Sequence, residues 1–357
     1  MTRIILLGAG KIGETIAHLL HASGDYALTV ADHDATRLAP IEALGVRTEL
    51  AELSSPQRLR ELIRGQEMVL SACPYHLTPV IAEAAVSAGA HYFDLTEDVE
   101  STRRVKALAA DARSALVPQC GLAPGFISIL AHSMTGKFDA LRDVHMRVGA
   151  LPVYPTNALK YNLTWSTDGL INEYCNPCEA IIDGRRHETL ALEESEAFSL
   201  DGIAYEAFNT SGGLGTLCDT LAGRVENLNY KTVRYPGHRD LVKMLIRDLR
   251  LGQRREILKD VLEASVPMTH QDVVLVFVTV SGTREGRLTQ ESFAKKIYST
   301  HVDGRPYSAI QITTAAGICA MVDLLREGAL PQRGFVRQED ADLERFLANR
   351  FGRYYAS

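Results

Sequence analysis

The chain has 357 residues, with 38 Lys and Arg against 44 Asp and Glu and a formal net charge of −6. That length exceeds one ordinary hydrophobic core and predicts two domains. The mildly acidic balance offers no basic surface for nucleic acid or anionic membrane, and no apolar run approaches membrane-spanning length, the longest lying near Val273–Val280.

The chain opens on Ile4-Ile5-Leu6-Leu7, an apolar run of strand length, which enters Gly8-Ala9-Gly10-Lys11-Ile12-Gly13 and then a helical pattern at Ile16, Ala17, Leu19 and Leu20. G-x-G-x-x-G between a strand and a helix is the dinucleotide fingerprint. Gly8 allows the turn, Gly10 lets a pyrophosphate approach the backbone, and Gly13 lets the helix pack on the strand. The backbone N–H groups at the helix start, at Lys11 and Ile12, face the phosphates. The second strand, Ala27–Asp32, ends on Asp32, where a carboxylate accepts hydrogen bonds from the adenosine ribose and repels a 2′-phosphate. This favours NAD over NADP, although Arg37 follows in the next turn. Because the first strand starts at the N-terminus, no signal peptide is expected.

Strands and helices then alternate: helix Thr36–Leu44, strand Val46–Leu50, helix Pro56–Ile63, strand Met68–Ala72, helix Thr78–Ala88, strand Tyr92–Leu95, helix Val99–Ala112 and strand Leu116–Cys120. This βα alternation predicts an α/β fold with an N-terminal Rossmann-type doubly wound parallel sheet over residues 1–125. Its cofactor lies at the carboxyl ends of the strands. Those ends carry Ser71-Ala72-Cys73-Pro74, expected to pass beneath the nicotinamide, and Asp94-Leu95-Thr96-Glu97-Asp98. Gly121-Leu122-Ala123-Pro124-Gly125 reads as the hinge.

From 126 to 305 strand-like runs dominate: Val144–Val148, Leu159–Trp165, Ile203–Phe208, Leu228–Arg234, Val273–Val280 and Lys295–Thr300. Helices are expected at Thr167–Tyr174, Leu214–Ala222, Arg239–Leu249 and Arg255–Ala264. The pattern predicts an α+β substrate domain with a mixed or antiparallel sheet, which is also the expected oligomerisation surface of a homodimer or homotetramer. Helices Ala309–Arg326 and Glu339–Phe351, within 306–357, are expected to return to the first domain. Six dispersed cysteines make no disulfide framework, and Cys175-Asn176-Pro177-Cys178 lacks the further ligands a zinc site needs, so no metal is expected and a cytoplasmic setting fits.

Five strings follow the glycine loop in order: G-L-A-P-G (121–125), V-G-A-L-P (148–152), Y-N-L-T-W-S-T-D-G-L (161–170), E-A-F-N-T-S-G-G (206–213) and Y-K-T-V-R-Y-P-G-H (230–238). Together they resemble the saccharopine dehydrogenase (glutamate-forming)/lysine 6-dehydrogenase family over nearly the whole chain. Three departures from the saccharopine pattern make the chain more similar to bacterial lysine 6-dehydrogenases. Ala123 stands in the hinge string, Asp168 follows the Trp165-Ser166-Thr167 string where saccharopine reductases carry Arg, and Thr210-Ser211-Gly212-Gly213 replaces an N-R-D-S type string. Trp165 and F-G-R-Y-Y (351–355) are less typical of the lysine enzymes.

The resemblance implies hydride transfer to a nicotinamide from the carbon bearing the lysine side-chain amine, then hydrolysis to the semialdehyde and ammonia. The amine must be neutral to react, and its reference pKa is about 10.4, so activity rises toward alkaline pH. Arg234 is the candidate for the substrate carboxylate, or else a surface arginine at a strand end. Asp94, Glu97 and Asp168 are candidates for the amine end, with helix capping the alternative for Asp94 and Asp168. His238 is the candidate base for water, or else a satisfied structural group. Thr210 and Ser211 are contacts to substrate or to backbone turns. Two other readings stay open: a saccharopine dehydrogenase with altered contacts, and a dinucleotide-binding sensor without turnover.

Overall fold

The computed structural model describes residues 1–356. Chain contacts divide it into two units, Met1–Phe126 with the stretch from Gln311 onward, and Ile127–Ile310. In the first unit β1 (Thr2–Leu7) carries Ile4, Ile5, Leu6 and Leu7 fully buried, as a strand covered on both faces requires. There follow α1 (Lys11–Ala22), β2 (Tyr26–Asp32), α2 (Ala35–Glu42), β3 (Arg47–Leu50), α3 (Pro56–Ile63), β4 (Met68–Ser71), α4 (Thr78–Ala88), β5 (His91–Asp94), α5 (Val99–Leu108) and β6 (Ala115–Val117), after which α6 (Phe126–Thr135) leads into the second unit. The strands pair in the order β6-β5-β4-β1-β2-β3, all parallel. The strand order reverses beside β1, which puts the glycine loop at the position where such sheets bind ligands.

The second unit contains β7 (Ala140–Pro152), α7 (Thr167–Cys175), β8 (Cys178–Ile182), β9 (Arg185–Thr189), β10 (Glu196–Leu200), β11 (Ile203–Asn209), α8 (Leu217–Thr220), β12 (Asn227–Arg234), α9 (His238–Lys243), α10 (Arg255–Ser265), β13 (Asp272–Arg284), β14 (Arg287–Tyr298), and the small hairpin of β15 (Thr300–Val302) and β16 (Arg305–Tyr307). Its main sheet runs β10-β11-β12-β7-β13-β14, with β12 and β7 parallel and the other neighbours antiparallel. It is therefore mixed. The sheet curls: Phe198 on β10 lies 5.6 Å from Phe277 on β13, although three strands separate them in the sheet. Leu151, Tyr205, Val233 and Leu275 form a small core under that curl. The other face packs a second core of Tyr161, Leu170, Tyr174, Phe208, Val242 and Leu258.

The chain closes with α11 (Ala309–Arg326), β17 (Gly334–Phe335) beside β6, α12 (Leu343–Ala348) and α13 (Arg353–Ala356). Contrary to the sequence reading, α11 is long and apolar enough to cross a membrane, but 89 % of it is buried inside the protein and it serves as a core helix.

Several expected elements are corrected. Leu159–Trp165 is no strand: Lys160 turns at φ 50°, and its one β-bridge is the isolated pair Leu163–Met268. The helix expected over Leu214–Ala222 shrinks to α8, because Gly215 and Gly223 adopt positive φ at its flanks. The helix expected over Arg239–Leu249 is α only as far as Lys243 and widens to a π-turn over Met244–Asp248. Glu339–Phe351 breaks where Asp342 caps a new start at Leu343. The strand expected to reach Cys120 stops at Val117, since Pro118 follows and Gln119 sits at φ 66°. Strands β8, β9 and β10 were not expected at all.

Asp323 ties α11 into the first unit. Its buried carboxylate accepts from Tyr26 Oη, from Asn349 Nδ2 at 3.1 Å and from Arg350 at 2.8 and 2.9 Å, with Arg326 beside it. Removing one member of a buried charged network leaves the others uncompensated, at a cost of about 3–5 kcal/mol. Asp323→Ala should lose that much unfolding free energy in urea; a loss below about 1 kcal/mol would show that the network is dispensable.

Candidate functional site

In the first unit the glycine loop has the geometry its spacing predicts. Gly8 sits at φ 100°, and a Cβ there would lie 2.7 Å from the Ala72 carbonyl oxygen. A Cβ at Gly13 would lie 2.0 Å from the Gly8 carbonyl oxygen, so only glycine lets α1 approach β1 this closely. At Gly10 the corresponding position is open, with nothing within 4 Å, and no side chain caps α1. That cradle fits a pyrophosphate at the N-terminus of α1. Asp32 Oδ2 accepts the Ala9 N–H at 2.6 Å and Oδ1 accepts the Asp34 N–H at 2.9 Å, so this carboxylate also fixes the loop. Arg37 pairs with Asp34 at 3.5 Å.

The strand ends beside it bury three side-chain oxygens, Ser71 Oγ, Tyr92 Oη and Asp94 Oδ2, with the Tyr92 hydroxyl and the Asp94 carboxyl close enough to interact. Ser71 and Asp94 are register neighbours on β4 and β5. Asp94 Oδ1 accepts from the Thr96 N–H at 3.0 Å and the Gln119 N–H at 2.8 Å, joining the ends of β5 and β6. Burial raises its pKa to about 6 against those bonds. Asp94 therefore caps no helix; the cap of α5 is Asp98. Glu97 lies half-buried in the same loop.

In the second unit the chemistry gathers on one face of β12. Tyr230, Thr232 and Arg234 alternate with Lys231 and Val233, and all five are buried. Arg234, 3 % exposed, donates from Nε to Tyr174 Oη at 2.9 Å and from Nη1 to the Val233 carbonyl at 2.8 Å, and its guanidinium lies 4.8 Å from the Tyr161 ring centroid. His238 reaches the Leu159 carbonyl through Nδ1 at 2.7 Å and Tyr174 Oη through Nε2 at 3.0 Å. A carbonyl only accepts, so Nδ1 carries the proton. Burial, then the charge of Arg234, lowers the His238 pKa to about 3, so the ring is neutral and Nε2 accepts from Tyr174. The directions are thus fixed: Arg234 donates to Tyr174, Tyr174 to His238, and His238 to the backbone.

Burial disfavours the charge on Arg234, but the Tyr174 and Tyr161 oxygens and Glu173 outweigh it and hold the pKa up. Burial raises both phenols, so they are neutral at pH 7. Beside this cluster Tyr161 Oη, Asn162 Oδ1 and Thr164 Oγ1 are buried, and the Tyr161 hydroxyl lies close enough to Thr164 to interact with it. Behind Tyr174 and His238 lies an apolar cavity of about 20 Å³, walled by Leu170, Val242 and Leu258 among others.

The structure therefore brings Arg234 and His238 together but makes His238 a holder of Tyr174 rather than a free base. Asp168 is half-exposed and paired with Lys259 at 2.7 Å, and Ser166, not Asp168, caps α7. Thr210 and Ser211 spend their hydrogen bonds inside the protein, on Thr232 Oγ1 at 2.9 Å, the Pro177 carbonyl at 2.7 Å and the Glu173 carbonyl at 3.0 Å. Gly213 follows because a Cβ there would strike the Tyr230 ring at 2.2 Å. Sequence reasoning missed Tyr161, Asn162, Thr164, Glu173 and Tyr174. Polar residues set among apolar ones in Y-N-L-T-W were the available signal.

The neutral His238 has a consequence for stability. Its folded pKa lies below the ordinary value near 6.5, so its contribution is complete above about pH 6.5 and is lost as pH falls toward 3. Asp94, raised in the fold, has the opposite slope between its ordinary value near 3.8 and about 6. His238→Gln should lower the Tm at pH 7.5 and flatten its fall between pH 6.5 and 4, while wild type keeps the steeper fall. Parallel Tm profiles would mean that the ring is not buried neutral.

Comparison with known proteins agrees with this architecture. The family model described as the saccharopine dehydrogenase NADP binding domain matches residues 4–117, and that of the saccharopine dehydrogenase C-terminal domain matches 121–352. The solved apo saccharopine dehydrogenase (L-Glu forming) of Saccharomyces cerevisiae is similar, with TM-score 0.79 at 16 % identity, covering 98 % of this chain and 97 % of that one. The mitochondrial alpha-aminoadipic semialdehyde synthases of Bos taurus and Rattus norvegicus are 22 % and 20 % identical, each over 51 % of this chain. The match covers 21 % of each of those relatives. With both domain models matched in order across nearly its whole length, the chain belongs to the saccharopine dehydrogenase family.

Proposed function

We propose that the chain is an NAD-dependent oxidoreductase that deaminates the side chain of L-lysine oxidatively. The neutral amine carbon loses hydride to the nicotinamide and becomes an iminium. Water adds, ammonia leaves, and the 6-semialdehyde cyclises onto the α-amine. The bound dinucleotide supplies the hydride acceptor; Gly8, Gly10, Gly13 and the start of α1 would hold it. Asp32 supports NAD over NADP, because a 2′-phosphate would confront its carboxylate and Arg37 is engaged by Asp34.

The observation that carries the substrate reading is the count of buried cations. Among the described residues of the second unit, Arg234 and Lys231 are the buried Lys or Arg side chains. Lys231 points to the opposite face of β12, where it donates to the Glu194 carbonyl at 2.7 Å and lies 3.7 Å from Glu196. One guanidinium suits the single carboxylate of lysine. Saccharopine brings two more carboxylates, and burying a charge unpaired costs several kcal/mol. Saccharopine oxidation is the second reading, favoured by the similarity to the yeast enzyme.

Arg234 orients the carboxylate, and Tyr174 with His238 holds Arg234. A neutral His238 contributes no inflection near pH 6.5, so the rate rises with deprotonation of the amine, whose reference pKa is about 10.4. Purified protein with NAD and L-lysine should form reduced nicotinamide, faster at alkaline pH, and saccharopine should give at least tenfold lower kcat/KM. Turnover of saccharopine but not lysine would reverse the order of the two readings. Asp32→Gly should weaken NAD about tenfold or more and narrow the NAD/NADP ratio; an unchanged ratio would remove Asp32 as the selector.

A further inference from the structure

Among the described residues, nine other than glycine hold a positive φ, which L side chains rarely adopt. Four of them, Asp183, Asp201, Glu285 and Asp303, directly precede a glycine that is also at positive φ, in the turns of antiparallel hairpins. Two-residue hairpin turns demand that backbone. Gln119 has no such reason. It lies two residues beyond the carboxyl end of β6, at φ 66°, and is 3 % exposed.

Its backbone is pinned on every side. Gln338 Nε2 donates to the Pro118 carbonyl at 2.8 Å, Asp94 Oδ1 accepts the Gln119 N–H at 2.8 Å, and the Asp94 carbonyl accepts the Cys120 N–H at 2.8 Å. Strain that the surroundings over-determine in this way points to a function. The side chain is the part left over. Among the described residues the Gln119 amide makes no hydrogen bond, although the residue is almost wholly buried. An amide in that position is costly without a partner.

The place selects the partner. Ligands of such a sheet lie outside the carboxyl ends of its strands. The order β6-β5-β4-β1-β2 puts Asp32, at the end of β2, on one side of the glycine loop and Gln119 on the other. A dinucleotide with its adenosine ribose at Asp32 and its pyrophosphate at the start of α1 extends its nicotinamide half toward β4, β5 and β6. The nicotinamide carries a carboxamide, with N–H donors and a carbonyl acceptor. A glutamine amide has the same groups, so each can donate to the other.

We infer that Gln119 is a cofactor-binding residue whose side-chain amide pairs with the carboxamide of the nicotinamide. This assignment rests on the dinucleotide reading of the first unit and not on the lysine reaction. It gives the positive φ a purpose: the strained backbone, held by Asp94 and Gln338, fixes the direction in which the amide leaves the chain.

The test measures, by calorimetry on the full chain, the binding of three ligands. NAD carries the carboxamide, 3-acetylpyridine adenine dinucleotide keeps its carbonyl but lacks its N–H groups, and ADP-ribose lacks the nicotinamide altogether. Where NADP binds more tightly than NAD, NADP and its acetylpyridine analogue replace the first two. Wild type should bind NAD about fivefold more tightly than the analogue, the worth of one hydrogen bond. Gln119→Ala should weaken NAD about tenfold, erase the preference over the analogue and leave ADP-ribose unchanged. Gln119→Gly removes the side chain and suits the positive φ, so it should keep or raise the Tm while losing the same preference. Should the Ala variant not fold, the Gly variant decides. A preference for NAD that persists in either folded variant overturns the assignment, and ADP-ribose binding then still upholds the dinucleotide reading. Equal weakening of all three ligands makes the side chain structural and overturns it as well. A wild type that binds none of the three overturns the dinucleotide reading and the assignment with it.

Discussion

Arg234 carries a full positive charge almost wholly out of water, and much of the second unit is arranged to keep it there. Removing a guanidinium from water is expensive unless its donors and its charge are both answered. The donors are answered by Tyr174 Oη and the Val233 carbonyl, and the charge by the π faces and oxygens of Tyr174 and Tyr161. Tyr174 can accept from Arg234 in a defined direction because His238 takes its proton, and His238 can do so because the Leu159 carbonyl fixes its tautomer. Each member is buried, so each depends on the next. Among the described residues Nη2 has no hydrogen-bond acceptor, and that edge is the one the proposed function gives to a carboxylate.

The two units divide the work in a way that follows from their folds. A parallel sheet with a reversal beside β1 offers a glycine loop and a helix start, which bind phosphates through backbone and carry no information about a substrate. The mixed sheet offers alternating side chains on one face, and that is where charges of both signs can be spaced along a strand. In the function proposed above, the glycines and Asp32 would hold the nucleotide and Arg234, with the residues that hold it, would hold the substrate.

The first half of the chain was largely legible because its signals are local. Strand, glycine spacing, helix and terminal acid lie within 32 residues, and caps such as Ser55 and Asp98 stand next to the helices they start. Asp94 misled because its partners are Thr96 and the distant Gln119, a contact no spacing reports. Asp168 misled because its sequence neighbours suggested a site and its actual partner, Lys259, is 91 residues away. His238 was singled out as a base, and burial makes it a fixed acceptor for Tyr174 instead. Glu173 and Tyr174 were hidden inside a helix whose apolar spacing reads as core. The π-turn after Lys243 and the curl that brings β10 over β13 depend on packing alone.

The proposed reaction takes hydride from the carbon that bears the side-chain amine of L-lysine. The most direct measurement follows the hydrogen itself. L-Lysine deuterated at the carbon bearing the side-chain amine, turned over with NAD, should give reduced nicotinamide carrying one deuterium, together with a primary isotope effect on kcat/KM. Deuterium taken instead from lysine labelled at the α-carbon, or reduced nicotinamide without deuterium from either position, would contradict the account.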